Sequence, residues 1–172
     1  MGQTGMNVSG GDAAQIDTLT RGFHSGANWF YWIAAFSVVN SMVLLFKGEW
    51  GFVIGLGITQ VFDAFAKGFA DAAAEEGVSA SVGTTVTAVV LVVDVVVAFV
   101  VGLFGWLANK GFGWAFIIGM AFYALDGLLF LLVGDLLSLG FHAFALFCMF
   151  GGYNCLKKLR ALQLQTEAVP AQ

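Results

Sequence analysis

Hydrophobic and polar residues along this chain are sorted into long blocks rather than alternating singly. Apolar runs of about 20 residues occupy positions 27–46, 50–70, 84–107, 112–133 and 136–156. Each is long enough to cross a hydrocarbon layer of ~30 Å at a helical rise of 1.5 Å per residue. Residues 86–101 are almost entirely Val, Ala, Leu and Phe with no period of two, which excludes the alternating strands of a membrane β-barrel. The pattern predicts an all-α, polytopic bundle of about five transmembrane helices. The polar breaks are short: Lys47-Gly48-Glu49, residues 108–111, and Gly134-Asp135. The last is a tight-turn pair that splits residues 112–156 into two spans. Residues 1–26 are polar and Gly-rich, lack the apolar core of a signal peptide, and read as a flexible tail. Residues 27–156 form the bundle, and residues 157–172 a basic and then polar tail.

Composition narrows the class. Charged residues make 10% of the chain and hydrophobic residues 59%, with a mean hydropathy of +0.88. A soluble domain of this size exposes more surface than so few charges can cover. Seven Lys+Arg against eleven Asp+Glu leave a net charge of −4, which excludes nucleic acid as a partner. Five alternating spans would put Lys47, Lys110, Lys157, Lys158 and Arg160 on one side, and Arg21 and Lys67 with most of the acids on the other. The positive-inside rule then predicts a multi-pass protein of the cell membrane, with the C-terminus cytoplasmic and the N-terminus outside. Trp29, Tyr31 and Trp32 would anchor the outer interface, and Trp50, Trp106, Trp114 and Tyr153 the inner one. Lys157, Lys158 and Arg160 would attract anionic lipid headgroups at ~1 kcal/mol per basic residue.

Two further patterns concern assembly. Ala35-Phe36-x-Val38 and Lys47-Gly48 recur as Ala98-Phe99-x-Val101 and Lys110-Gly111. With a one-residue shift, Trp50-x-Phe52-x-Ile54-Gly55 recurs as Trp114-x-Phe116-x-Ile118-Gly119. A two-helix tandem repeat would generate this, with the fifth helix outside it. Gly51-x-x-x-Gly55 is a spacing that permits close helix approach, within the subunit, in a homo-oligomer, or against membrane partner subunits.

The candidate site comes from the ionisable residues inside the spans: Asp63, Lys67, Asp94, Asp126 and His142. An Asp or Lys at a helix centre opposes insertion by ~2.5–3.5 kcal/mol and is normally turned toward the protein interior or water. Counted from the outer helix ends, Asp63, Asp126 and His142 fall ~9–10 Å deep and Asp94 ~15 Å, so a single polar cluster is expected. Asp63 and Lys67 have the i,i+4 spacing of an ion pair, although Lys67 is near enough to the end to snorkel. Asn40, Gln60, Ser37 and Ser41 would add hydrogen bonds at similar depth. Carboxylates and a His grouped in a membrane are the residue types of proton and cation relays. The expected function is therefore a small transporter or channel for protons, cations or a small polar solute. The alternative is a non-catalytic membrane subunit or scaffold in which the same charges join helices, as Asp63–Lys67 and Asp94–His142 pairs would. A divalent metal site has no E-x-x-H or H-E-x-x-H spacing behind it. No cofactor motif, redox thiol pair or G-x-S-x-G nucleophile is present, so an enzyme is the weakest reading.

Overall fold

The computed structural model describes residues 10–45, 56–77 and 79–168. These form five helices: α1 (Gly10–Leu45), α2 (Gly57–Glu75), α3 (Ala80–Asn109), α4 (Gly113–Val133) and α5 (Leu136–Ala168). Among the described residues there is no strand, and three helices (α3, α4 and α5) are long and apolar enough to cross a membrane. Lys47, Trp50, the Gly51/Gly55 spacing and the expected first turn and a half of the second span lie outside the described residues. Residues 10–26, expected as a flexible tail, are instead the opening turns of α1. Residues 157–168 likewise continue α5.

The ends of the helices follow from local chemistry. Asp135 accepts the backbone N–H groups of Leu137 and Ser138 through Oδ1, both at 3.1 Å, while the Ser138 hydroxyl donates to Oδ2 at 2.6 Å. This side-chain cap satisfies donors that the first turn of α5 leaves open. Gly134, at φ 75°, ends α4 in the left-handed conformation that glycine adopts without strain. The α4–α5 break predicted at Gly134-Asp135 is therefore a real turn.

Pairwise contacts give the topology. Along α1, Gly22 meets Cys155, Gly26 meets Gly152, and the Trp29 ring meets Phe144, so α1 and α5 are antiparallel. Phe30 against Gly105 and Ser41 on Asp94 make α1 antiparallel to α3. Asp63 beside Asp94 and Ala70 against Gly83 make α2 antiparallel to α3 as well. Hence α1 and α2 run in the same direction. The Leu56 N–H donates to Ser37 Oγ at 2.9 Å, two turns before α1 ends.

Three expectations change with this arrangement. Because α1 and α5 are antiparallel neighbours, the start of α1 and the end of α5 lie at the same end of the bundle, not at opposite ends. The parallel pair α1/α2 is not built like the antiparallel hairpin α3/α4, so the sequence matches do not correspond to repeated two-helix units. Tyr31 packs on Gly105, next to Trp106, so the α1 aromatics belong to the level of Trp106 and Trp114 rather than to an opposite belt. α2 also does not begin where the other helices do. It starts beside Asp126, with seven residues of α4 remaining (~10 Å), and its own nineteen residues cover ~28 Å, so it runs past the end of α4.

The core where α1, α3, α4 and α5 meet contains Phe23, Phe30, Ile33, Phe116 and Met149 among small residues Ala27, Ala108, Ala115 and Ala145. Small residues let helices approach closely where no hydrophobic driving force separates lipid from protein. At the closest approach, a Cβ on Gly26 would sit 2.5 Å from the Gly152 Cα. The outer surface is the reverse of a soluble protein: Phe99, Leu132 and Phe147 are 71%, 83% and 75% exposed, while Ser37, Asn40, Ser41, Thr59, Asp94, Asp126, Ser138 and His142 are buried.

Candidate functional site

The buried polar residues divide into two sites rather than one cluster. The first is centred on Asp126, in α4. Its Oδ2 accepts the Gly57 N–H at 2.7 Å and its Oδ1 accepts the Ile58 N–H at 2.8 Å. Leu56, at the N-cap of α2, has no polar side chain to do this, so the carboxylate of a distant helix supplies the cap. Its negative charge also sits at the positive end of the α2 dipole. Gly57 is needed for the approach, since a Cβ there would lie 2.8 Å from the Phe130 ring. On its other side Asp126 Oδ2 lies 3.0 Å from His142 Nε2.

Hydrogen-bond partners determine where protons sit on this pair. His142 Nδ1 is 2.9 Å from the Ser138 carbonyl oxygen, which can only accept, so Nδ1 carries a hydrogen. The Nε2···Oδ2 contact then needs a second proton between ring and carboxyl group. The pair is thus an imidazolium–carboxylate or its neutral equivalent, with no net charge in either form. The ring is fixed by Tyr123, stacked on it at 4.3 Å and 16°, and by Phe130 at 5.0 Å. Gly127 leaves room for it.

The second site joins α1, α2 and α3. Ser41 Oγ lies 2.8 Å from Asp94 Oδ2 and 3.3 Å from Asp63 Oδ2, and its single hydrogen goes to the nearer carboxylate. Asp63 and Asp94 are thus brought side by side around one hydroxyl group. Asp94 is 1% exposed, and its second oxygen, Oδ1, has no hydrogen-bond partner among the described residues. Asp63 is only half-buried. Six residues of α2 separate Gly57 from Asp63, which sets the two sites ~9 Å apart along that helix.

The candidate residues therefore separate. Asp126 and His142 come together, as do Asp63 and Asp94. Lys67 joins neither: it is exposed and forms no ion pair with Asp63, whose carboxylate turns to Ser41 and Asp94. No Asp94–His142 pair forms either, because His142 is held by Asp126. Asn40 is buried on α1 one residue before Ser41, and Gln60 is half-buried on α2 between the two sites. Among the described residues no three His, Cys, Asp or Glu side chains are grouped to hold a metal ion. Sequence reasoning missed Asp126 as the cap of α2. The available signal was negative, a helix start at Leu56-Gly57 with no capping residue of its own.

No family model, no curated protein and no solved structure matches this chain.

Proposed function

We propose that this is a multi-pass protein of the cell membrane whose Ser41–Asp63–Asp94 site takes up and passes a proton or small cation. The observation that carries the reading is the Asp94 carboxyl group: deeply buried, with one oxygen unpartnered among the described residues and a second carboxyl group beside it. A buried, unsatisfied acidic oxygen in a membrane protein is expensive to keep without a function. Half-buried Asp63 gives the pair a side from which it can exchange with solution. Asp126 and His142 have the opposite character, with every strong contact internal, and we assign them to holding α2 in place.

Orientation follows from the charges at the two ends. Arg21, Lys110, Lys157, Lys158 and Arg160 gather at the end where α1 begins and α5 finishes. Lys67 is at the other end with Asp71, Glu75, Glu76 and Asp135. The positive-inside rule puts the basic end, and with it both helix ends, in the cytoplasm. α1, α3, α4 and α5 are the crossing helices, and α2 starts within the bundle. Lys157 and Lys158 then face the anionic headgroups of the inner leaflet.

The test is proton and cation flux in proteoliposomes. Asp94→Asn should abolish a flux that Asp126→Asn leaves measurable per folded molecule. A second reading, a scaffold subunit, draws on the wholly structural contacts of Asp126. It predicts that Asp94→Asn lowers folded yield or complex recovery with no flux lost.

A further inference from the structure

Hydroxyl groups inside the helices follow a habit that Ser41 breaks. Thr18, Thr20, Ser37, Thr85 and Thr87 each donate to the carbonyl oxygen four residues back on their own helix. Ser41, on α1, instead gives its hydrogen across to Asp94 Oδ2 on α3, at 2.8 Å, and stands 3.3 Å from Asp63 Oδ2 on α2. The three groups form a row with the hydroxyl in the middle. With its own hydrogen given to Asp94, the Ser41 oxygen can bond to Asp63 Oδ2 only as an acceptor. The row therefore has room for one more hydrogen, and its place is on Asp63 Oδ2.

The two ends of the row differ in access. α2 starts beside Asp126 with ~10 Å of α4 still to run, and Asp63 is six residues, or ~9 Å, along α2. Asp63 is thus level with the outer end of α4, where it is half-buried. Asp94 is buried, and its Oδ1 is sealed from solvent without a partner among the described residues. A metal cation does not suit this row. One hydroxyl and two carboxyl groups offer five oxygens in all, and Asp94 Oδ1 is out of reach of a hydrated ion. Mg²⁺ and Ca²⁺ take about six to eight oxygens, and a dehydrated monovalent ion also needs a full oxygen shell. A proton needs only two oxygens at hydrogen-bond distance. It also removes one of two like charges held around a single hydroxyl. Among the described residues neither carboxyl group is paired with a Lys, Arg or His. Lys67 is exposed one turn further out, and the Asp126–His142 pair, without net charge, lies ~9 Å inward along α2.

We propose that the species taken up is a proton and that the Ser41 hydroxyl relays it from Asp63, at the outer side, to Asp94. This rests on the ion-uptake reading above and specifies its substrate and route. A proton from solution binds Asp63 Oδ2, and the new O–H donates to Ser41 Oγ. As that proton crosses to Ser41 Oγ, the original O–H bond of Ser41 breaks and its hydrogen passes to Asp94 Oδ2. Asp63 returns to a carboxylate, Ser41 keeps one hydrogen, and Asp94 becomes a neutral carboxylic acid. One proton has moved inward and nothing else is consumed. When Asp94 gives up its proton, rotation of the Ser41 hydroxyl resets the row.

The experiment uses the full chain in proteoliposomes loaded with a pH-sensitive dye, with uptake of radiolabelled Na⁺ and Rb⁺ followed in the same vesicles. The parent protein should carry protons and take up no more labelled cation than protein-free vesicles. Ser41→Ala, in vesicles that keep the parent melting transition, should slow proton flux about a hundredfold or more, the scale of a lost proton-transfer group. Ser41→Thr restores the hydroxyl and should recover most of the flux. Asp63→Asn, at the half-buried end, should abolish proton entry even if Ser41→Ala does not fold. Parent-like proton flux in Ser41→Ala or in Asp63→Asn would overturn the relay. Labelled Na⁺ or Rb⁺ uptake that Asp94→Asn abolishes would overturn the proton as substrate and leave the ion-uptake reading standing. Flux of neither kind in the parent protein would overturn that reading and the relay with it.

Discussion

Replacing Asp126 with Ala removes one carboxyl group and leaves three polar groups without a partner. Gly57 N–H, Ile58 N–H and His142 Nε2 lie 2.7, 2.8 and 3.0 Å from its oxygens. Water cannot easily take its place, since Asp126 is only 8% exposed. Hydrogen bonds between membrane helices are worth about 0.6–1.7 kcal/mol each, so three of them place the loss at about 2–5 kcal/mol. The assay is reversible unfolding of the reconstituted protein in mixed micelles, followed by helical circular dichroism. A double-mutant cycle with His142→Ala should assign about 0.6–1.7 kcal/mol to the Asp126–His142 contact, the remainder belonging to the α2 cap. Hydrogen exchange should locate that remainder, with the Gly57 and Ile58 amides exchanging faster in Asp126→Ala while the first turn of α5 stays protected. A variant within about 0.5 kcal/mol of the parent, with unchanged exchange at Gly57 and Ile58, would refute the claim that Asp126 anchors α2.

Other outcomes follow from single contacts. Gly26→Ala places a methyl group against the Gly152 backbone and should cost about 1–3 kcal/mol. Gly151→Ala, where a Cβ meets nothing within 4 Å, should be neutral or slightly stabilising in the same thermal melt. Lys67→Gln should change stability by less than about 0.5 kcal/mol, whereas an Asp63–Lys67 ion pair would make the substitution measurably costly. The Asp135 carboxyl titrates below the usual carboxylate range because the Ser138 hydroxyl and then its backbone N–H bind the ionised form. Its contribution to stability is therefore present above the unfolded value of about 3.9 and is lost as pH falls through the lower folded value. Ser138→Ala should move the Asp135 midpoint upward in a carboxyl ¹³C NMR titration. An unmoved midpoint would show that the cap does not set it.

Much of the architecture could be read from hydropathy. The ends of the third and fourth spans, the turn at Gly134-Asp135 and the burial of Asp94, Asp126 and His142 were all legible, because each depends on one residue's preference for lipid, water or a turn. Depth counting put Asp126 and His142 at one level, and they are in contact. It failed for Asp63, which was assigned their level but pairs with Asp94. The count assumed that α2 alternates in direction with α1, and α2 runs parallel to it. The polar opening of α1 was misread for a related reason. Asp12, Asp17 and Arg21 break the apolar pattern but not the helix, and Arg21 pairs with Asp17 one turn away.

The sequence by itself determined that the chain is helical, that its outer surface is suited to lipid, and that a few carboxyl groups, hydroxyls and one imidazole must find partners away from that lipid. These are properties of segments and of single side chains. Tertiary structure alone decided which partner each one found: Asp126 for the open N–H groups of α2, Asp94 for Asp63, α5 beside α1 with their ends together. Hydropathy records how much each residue avoids water but not which neighbour it meets. In a membrane, where hydrocarbon is as welcoming as another apolar helix, the choice of neighbour is left to close glycine contacts and to hydrogen bonds that only one arrangement completes.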